Sequence, residues 1–173
     1  AGQLAETRDD LAAAHMVMVT QVFQDEMARE ILPTLRAHAA GYDSILSVLC
    51  ATELVQLSRL GRFSMAEDGT RSAWSPISLL KKLKGERKAG KTTGERQMAV
   101  IRTLPKLLKF LPGTAQDLRI YFLSLQYWLG GTEQNIANLI RLHIDRYAAG
   151  PREGLRGTVP PAGTESYPEG GDY

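Results

Sequence analysis

The sequence predicts a mixed α/β fold, in which the end of a parallel α/β domain is followed by a basic linker and a mainly α-helical domain. Three observations lead to this prediction. Two β-branched apolar runs flank a helix-like segment near the start, basic residues are concentrated in the middle, and apolar residues recur at helical spacing further on. The predicted divisions are residues 1–66 (α/β), 67–93 (flexible basic linker), 94–150 (helical) and 151–173 (extended or disordered tail).

The first division contains a strand, a helix and a second strand. Residues 15–23 and 42–50 are apolar and β-branched enough for buried strands, and residues 24–40 between them have apolar residues four apart. Pro33 lies inside that helix, so we expect a kink or a break there. The strand–helix–strand order favours a right-handed crossover and a parallel pair. Two strands do not make a stable sheet, so we expect further strands upstream of Ala1 or in a partner. Residues 51–60 read as a short helix.

The net charge of +2 conceals a strongly basic middle segment. Residues 1–80 carry 6 basic and 10 acidic groups, residues 81–109 carry 10 and 2, and residues 110–173 carry 5 and 7. A block of +8 can steer acidic partners, although a solvated linker is the commoner explanation for such a block. A short basic amphipathic helix is predicted within the linker, near Pro76–Lys84.

The last two predicted helices have clear start and stop signals. Thr114 is the predicted N-cap of the first, with Asp117 facing the amides of the first turn. Gly130 and Gly131 supply a left-handed C-terminal stop, and Thr132 caps the next helix. Before them, a helix beginning near residue 95 has apolar residues on one face and is interrupted by a proline.

Composition excludes several classes of protein. A hydrophobic content of 43% and a charged content of 23% are typical of a globular chain. No apolar run approaches the roughly 20 residues that a membrane-spanning helix needs, and the first residues do not resemble a secretion signal. The single cysteine, Cys50, excludes an internal disulfide. It fits a reducing compartment, so we expect a cytoplasmic location.

Four segments, in order, resemble one known family. They are ELVQLSRLGRFSM (Glu53–Met65), SLLKKLKG (Ser78–Gly85), RTLPKLLKFLPG (Arg102–Gly113) and AQDLRIYFLSLQYWLGGTEQNI (Ala115–Ile136). Together they are similar to the large H subunits of magnesium chelatases, whose pattern reads AQD-x-R and then QYWLGG-[ST]-x-x-N. The ending RYAAGPREGLRG (Arg146–Gly157) is similar to the bacteriochlorophyll-type members. The last residues depart from the family pattern at Ser166 and by one extra glycine.

The resemblance implies a function. The large subunit of this family binds porphyrin, and the whole enzyme inserts Mg²⁺ into protoporphyrin IX for bacteriochlorophyll synthesis while two smaller motor subunits hydrolyse ATP. Such large subunits exceed a thousand residues, so the chain is predicted to be an N-terminal region fragment, inactive by itself. The implied partners are protoporphyrin IX, the two motor subunits and the remainder of the large subunit, with no nucleic acid and no membrane-spanning segment. No covalently bound cofactor is expected.

Three residues of the QYWLGG segment and its surroundings are candidates for porphyrin contact. An aromatic surface at Trp128, with Gln126 beside it and Arg119 nearby, could receive a flat tetrapyrrole whose propionates favour a basic group. Aromatic residues at helical spacing more often belong to the core, and a domain interface is an equal alternative. The sequence identifies no catalytic residue and no metal ligands, because the three histidines (His15, His38 and His143) are isolated.

Two other interpretations remain open, and a third is disfavoured. The chain could belong to a cobaltochelatase large subunit, which inserts Co²⁺ into a corrin-type ring. It could be a non-catalytic module that docks the motor subunits through its basic block. The segment GERKAGKT (Gly85–Thr92) also fits the phosphate-loop pattern, but a charged amphipathic segment precedes it where a buried strand is needed, so nucleotide binding is not predicted.

Overall fold

A computed structural model describes residues 2–66 and 93–165. Its first part contains helices α1 (Gly2–Ala13), α2 (Asp25–His38) and α3 (Thr52–Val55), with a 3₁₀ turn at Ala39–Gly41, and strands β1 (Met16–Thr20), β2 (Ser44–Val48), β3 (Arg59–Leu60) and β4 (Phe63–Ser64). Its second part contains α4 (Thr93–Leu108), α5 (Thr114–Gly130), α6 (Glu133–Tyr147) and a 3₁₀ helix at Gly150–Leu155. The predicted mixed α/β class is confirmed. The basic linker and its amphipathic helix lie outside the described residues, and the domain divisions stay a prediction.

The sheet is mixed rather than parallel. Strand order is β1-β2-β3-β4, and β1 pairs in parallel with β2 from Met16↔Ser44 to Thr20↔Val48. β2 and β3 are antiparallel, as are β3 and β4. The predicted parallel pair is therefore correct, and two further strands come from within the chain.

The prediction of a helix over residues 51–60 was wrong beyond its first turn. α3 ends at Val55, and the Ser58 hydroxyl then holds the chain against β2 by bonding to both the N–H and the C=O of Ser47, at 2.9 and 3.1 Å. The chain then runs along β2 and reverses at Gly61, whose φ of +56° suits a two-residue hairpin turn.

Helix α2 is not broken at Pro33, contrary to one of the two expected outcomes. Proline removes the hydrogen bond to the carbonyl four residues earlier, which is that of Arg29. Pro33 is exposed, so water can reach this side of the helix and satisfy that carbonyl. Leu35, on the opposite side, is fully buried against the sheet.

The sheet lies between two layers of helices. Val17, Val19 and Ile45 face one core together with Leu35 of α2. Leu46 and Val48 point to the other face and join a larger core with α4, α5 and α6. All five residues of β2 are buried because helices cover both of its faces, as in α/β sheets generally.

The residues at which α5 and α6 begin and end were predicted partly correctly. Thr132 is the N-cap of α6 and its hydroxyl accepts from the Asn135 N–H at 3.1 Å, and Gly131 ends α5 with a φ of +63°. Thr114, by contrast, is the first helical residue of α5. Its N-cap is Gly113, whose φ of +73° and lack of a side chain let the chain turn abruptly after Pro112. Asp117 does not cap α5 either, because two donors from other elements occupy its carboxylate.

Candidate functional site: the α4–α5–α6 unit and its contacts to the sheet

The predicted site residue Gln126 repairs a gap in the hydrogen bonding of α4. Pro105 has no N–H, so the carbonyl of Ile101, four residues earlier, lacks its helical partner. The Nε2 of Gln126 donates to that carbonyl at 2.6 Å. Gln126 thus replaces the missing backbone donor and fixes α5 against α4.

Two further side chains of α5 bond to the end of α4. Arg119 Nε donates to the carbonyl of Pro105 at 3.0 Å. Gln116 Nε2 donates to the carbonyls of Leu108 at 2.8 Å and Lys109 at 3.1 Å, and also to that of Leu111. The last carbonyls of a helix have no partners within the helix, so these amide and guanidinium donors cap α4 from the side.

The three predicted porphyrin-contact residues have different surroundings. Arg119 and Gln126, two helical turns apart, share the side of α5 that faces α4. Trp128 is half-buried and packs against the larger core. The pKa of Arg119 is lowered mainly by burial and to a smaller extent by the nearby guanidinium of Arg146. No ligand tests the predicted contact, so it stays a prediction.

The glycine pair and Asn135 hold the segment that follows α6. Asn135 is fully buried, and its amide pairs with the backbone of Glu165, Nδ2 donating to the carbonyl and Oδ1 accepting from the N–H, both at 2.9 Å. A Cβ on Gly130 would lie 2.4 Å from that Nδ2. Gly130 is therefore needed for space, whereas Gly131 is needed for its backbone conformation.

Two more side chains bind the same segment at Ala162. Asn138 Oδ1 accepts from the Ala162 N–H at 3.1 Å, and the Tyr127 hydroxyl donates to its carbonyl. The Nδ2 of Asn138 is buried and has no partner within residues 2–66 and 93–165. Residues 162–165 thus lie along α5 and α6, bound through main-chain atoms.

Asp117 joins three parts of the chain. Its Oδ2 accepts from the Arg62 N–H at 2.9 Å and its Oδ1 from the Tyr147 hydroxyl at 3.0 Å. A Cβ on Gly61 would lie 2.7 Å from both carboxylate oxygens, so the hairpin turn requires glycine here. The pKa of Tyr147 is raised mainly by burial and to a smaller extent by the charge of Asp117. The Tyr147 hydroxyl therefore stays protonated and donates to Asp117.

His143, which the sequence left as an isolated residue, connects the sheet to the helices. Its Nδ1 lies 3.2 Å from Ser44 Oγ in β2 and its Nε2 lies 2.9 Å from Ser124 Oγ in α5. The Ser124 hydroxyl donates to the Ile120 carbonyl at 2.7 Å, so it must accept from the ring. The geometry therefore places a proton on Nε2. Burial lowers the pKa of His143 to about 4.

A cleft of about 400 Å³ opens where the sheet, the helices and the tail meet. Its charged lining consists of Asp43, Arg62, Asp117, Arg146 and Arg156. Asp43 is occupied by a bidentate ion pair with Arg152, at 3.1 to 3.3 Å, and by the Ala149 N–H. Both carboxylates of the lining therefore already accept from groups of the chain.

Neither metal ligation nor membrane insertion has support in the described residues. Among them, no group of three His, Cys, Asp or Glu side chains could hold a metal ion. None of the helices found in residues 2–66 and 93–165 is long and apolar enough to cross a membrane.

The fold and these contacts define a mixed α/β unit continuous with three packed helices, in which polar side chains bond mainly to the chain's own backbone. Residues 1–122 match a family described as a domain of unknown function, DUF3479. This chain therefore belongs to the DUF3479 family.

The chain is similar to the H subunits of magnesium chelatases from bacteria and a plant. The chain is 39% identical over 171 residues to the magnesium-chelatase H subunit of Rhodobacter capsulatus, covering 99% of the chain and 14% of that relative. It is 39% identical over 146 residues to the magnesium-chelatase H subunit of Cereibacter sphaeroides, covering 84% and 12%. It is 35% identical over 134 residues to the chloroplastic magnesium-chelatase ChlH subunit of Oryza sativa, covering 77% and 9%. The resemblance inferred from the sequence motifs is confirmed.

Proposed function

We propose that the chain is a segment of the porphyrin-binding subunit of a cytoplasmic magnesium chelatase. The full enzyme would insert Mg²⁺ into protoporphyrin IX during bacteriochlorophyll synthesis, while two smaller subunits hydrolyse ATP. The observation that carries this proposal is the 39% identity to a magnesium-chelatase H subunit over 99% of the chain. Because the chain spans 14% of that relative, we assign the activity to the full subunit in its complex.

Within that subunit we assign the segment a scaffold role. Mg²⁺ gives up its bound water reluctantly, so a chelatase has to hold the macrocycle and the metal in a fixed geometry. The polar contacts of α5 support this role, since Gln126 binds α4, Asp117 binds the hairpin turn and Ser124 binds His143. Each of these bonds joins two different elements and restricts their relative movement.

Direct porphyrin contact is the second candidate role. Trp128 packs against the larger core but keeps part of its surface accessible, and a flat ring can stack on an accessible indole face. Arg119 uses its Nε–H on the Pro105 carbonyl, and the terminal nitrogens of a guanidinium can still donate to a propionate. In this role Gln126 would keep α5 in place while Trp128 and Arg119 meet the ligand.

The enzymatic proposal is tested with the full-length subunit that contains this segment. It is mixed with the two smaller subunits, protoporphyrin IX, Mg²⁺ and ATP, and the fluorescence of the Mg-porphyrin product is followed. We expect product only when all components are present, and none when the 173-residue chain replaces the full subunit. A preference for Co²⁺ and a corrin-type ring would replace this proposal with the cobaltochelatase alternative.

The contact role is tested by titrating the 173-residue chain with a soluble porphyrin. Quenching of Trp128 and Trp74 fluorescence is measured in the parent, in Trp128→Phe and in the matched control Trp74→Phe. Saturable binding that weakens only in Trp128→Phe supports contact. Absence of binding by a folded chain leaves the scaffold role alone.

The docking alternative is tested by reversing charges in the basic block. Lys81, Lys82 and Lys84 are replaced by Glu in the full-length subunit, and its affinity for the two smaller subunits and for porphyrin is measured. Loss of affinity for the two smaller subunits with unchanged affinity for porphyrin would support docking through this block. No change in either would support a passive linker.

A further inference from the structure

The loops at the carboxyl ends of β1 and β2 carry an exposed apolar surface bordered by acidic side chains. Its apolar members, Phe23, Met27 and Leu49, are 64%, 55% and 40% exposed. Acidic residues in the first turns of α2 and α3 surround them. We call this the apolar–acidic surface, and it consists of Phe23, Asp25, Glu26, Met27, Leu49 and Glu53.

The two loops are held next to each other. Thr20 and Val48, the last residues of β1 and β2, are partners in the parallel register. Beyond them the Ala51 N–H donates to the Val22 carbonyl at 2.8 Å. The carboxyl ends of parallel strands are where open α/β sheets generally bind ligands.

Both loops begin with a strained residue. Gln21 and Leu49 are the first residues after β1 and β2, and their φ values are +60° and +54°. They are the two non-glycine residues with positive φ in the described part of the chain. Strained backbone of this kind is found preferentially at binding sites, where it presents side chains in a set direction. Here the strain places an exposed Leu49 at the sheet end.

The charges of these loops indicate what could bind there. Residues 20–28 and 48–56 contain three acidic residues and no Lys, Arg or His, and the nearest basic residue along α2 is Arg29. We propose that the apolar–acidic surface docks a basic amphipathic helix of a partner protein. The apolar face of that helix covers Phe23, Met27 and Leu49, and its Lys or Arg side chains pair with the surrounding carboxylates. This proposal does not rest on the chelatase function proposed above.

The test uses a fluorescein-labelled peptide of Leu and Lys, about 18 residues or five helical turns long, with one apolar face. A peptide of the same composition, scrambled to remove that face, is the control probe. Anisotropy with the 173-residue chain is expected to show saturable binding of the first peptide. Hydrogen exchange should show new protection confined to residues 21–28 and 48–54.

Matched variants separate this surface from general stickiness. Phe23→Ser with Met27→Ser, and Glu26→Lys with Glu53→Lys, should each weaken binding about tenfold or more. The controls are Phe110→Ser, at an 83% exposed aromatic elsewhere, and Glu133→Lys, at a first-turn acid of α6. Equal effects of the controls would overturn the proposal, as would equal binding of the scrambled peptide.

Leu49→Gly separates a docking role from a structural one. Glycine adopts a positive φ without strain, which offsets the lost packing of the 40% exposed Leu49 and the greater freedom of the unfolded chain, so this variant should stay folded with a melting temperature near that of the parent. It also removes an apolar member of the surface, so peptide affinity should fall. A folded Leu49→Gly variant with unchanged peptide affinity would contradict the proposal.

Other occupants give distinct outcomes, and each overturns the proposal. If the surface docks the chain's own basic block, replacing Lys81, Lys82 and Lys84 by Glu will increase peptide affinity. If a second copy covers it, sedimentation will show concentration-dependent dimers that Phe23→Ser dissociates. If the remainder of a longer polypeptide covers it, the full-length protein will not bind the peptide.

Discussion

Pro105 in α4 creates a need for a hydrogen-bond donor on the neighbouring helix α5. It lies inside α4, where it leaves the Ile101 carbonyl without a helical donor, and Gln126 of α5 supplies the donor instead. An unpaired polar group costs up to about 1–3 kcal/mol when it is buried, and the Ile101 carbonyl is part-buried, so this bond strengthens the contact between the two helices.

We therefore predict strong coupling between Gln126 and Pro105. Gln126→Met keeps the side-chain length but removes the donor, and should lower the free energy of unfolding by about 1–3 kcal/mol. In a Pro105→Ala background the backbone N–H of Ala bonds to Ile101, so the same change should cost about 0–1 kcal/mol. Urea unfolding of the four proteins in the cycle measures this, and additive effects would contradict the prediction.

The sequence identified Gln126 as a candidate site residue, but it did not show that Gln126 binds α4. The motif around Gln126 suggested a binding surface. In the structure its amide bonds to the Ile101 carbonyl, which lacks a helical partner because of Pro105, 21 positions before Gln126. Pro105 was recognised as an interruption, so the orphaned carbonyl could have been deduced. Its partner could not, because that depends on how α4 and α5 pack. Whether Trp128 and Arg119 also meet a porphyrin stays a prediction.

At the scale of elements, the turn between α5 and α6 combines local and distant requirements. Gly131 and Thr132 serve the turn itself, and their roles were readable from the sequence because helix caps are local. Gly130 and Asn135 serve a contact with Glu165, 30 residues beyond Asn135. A pattern confined to the turn carries no information about that contact.

Gly130→Ala should consequently be far more disruptive than an ordinary helical Gly→Ala change. The new Cβ would lie 2.4 Å from Asn135 Nδ2, so either the amide loses Glu165 or α5 shifts. We expect a loss of about 2–4 kcal/mol in unfolding free energy and faster hydrogen exchange of the Glu165 amide. Gly154→Ala is the control, because a Cβ placed there would have nothing within 4 Å, and it should change stability by less than about 0.5 kcal/mol.

The short strands β3 and β4 mark the limit of reading elements from sequence. Each has two residues, too few for an alternating pattern, and the preceding segment has helical spacing. What decides against a longer helix is Ser58, whose hydroxyl bonds to both backbone groups of Ser47. Such a tertiary bond outweighs the small differences in intrinsic helix propensity.

For the whole molecule, β2 is the common centre of two hydrophobic cores. Ile45 belongs to the core under α2, and Leu46 belongs to the core shared with α4, α5 and α6. The mixed α/β class was correctly predicted because strand and helix periodicities are local patterns that can be read from a short window of sequence. The joining of sheet and helices through His143 was not predicted, since Ser44 and Ser124 are 99 and 19 residues away from it.

His143 makes global stability depend on pH. Its pKa falls from 6.5 in the unfolded chain to about 4 in the folded one, so the unfolded state binds the proton more readily between these values. The stabilising effect of a neutral His143 is fully present above pH 6.5 and is lost as the pH falls to about 4, by about 3 kcal/mol in all. Below that pH both states are protonated and the loss ends.

The measurement is the free energy of unfolding from about pH 7.5 to about pH 3.5 in the parent and in His143→Gln. Glutamine can bond to the two serines but does not titrate in this range. The carboxylates titrate in both proteins, so the difference between the two curves isolates His143. Parallel curves would show that the ring does not stay neutral in the folded chain.

The way the segment after α6 is bound has an evolutionary consequence. Asn135, Asn138 and Tyr127 contact the amide and carbonyl groups of Ala162 and Glu165, and these groups are present in almost every residue type. Selection on these bonds therefore constrains the binding side chains and leaves positions 162–165 free to drift. A saturation scan should find Ala162 and Glu165 tolerant of most replacements but not of proline, which alone lacks the N–H that both asparagines require.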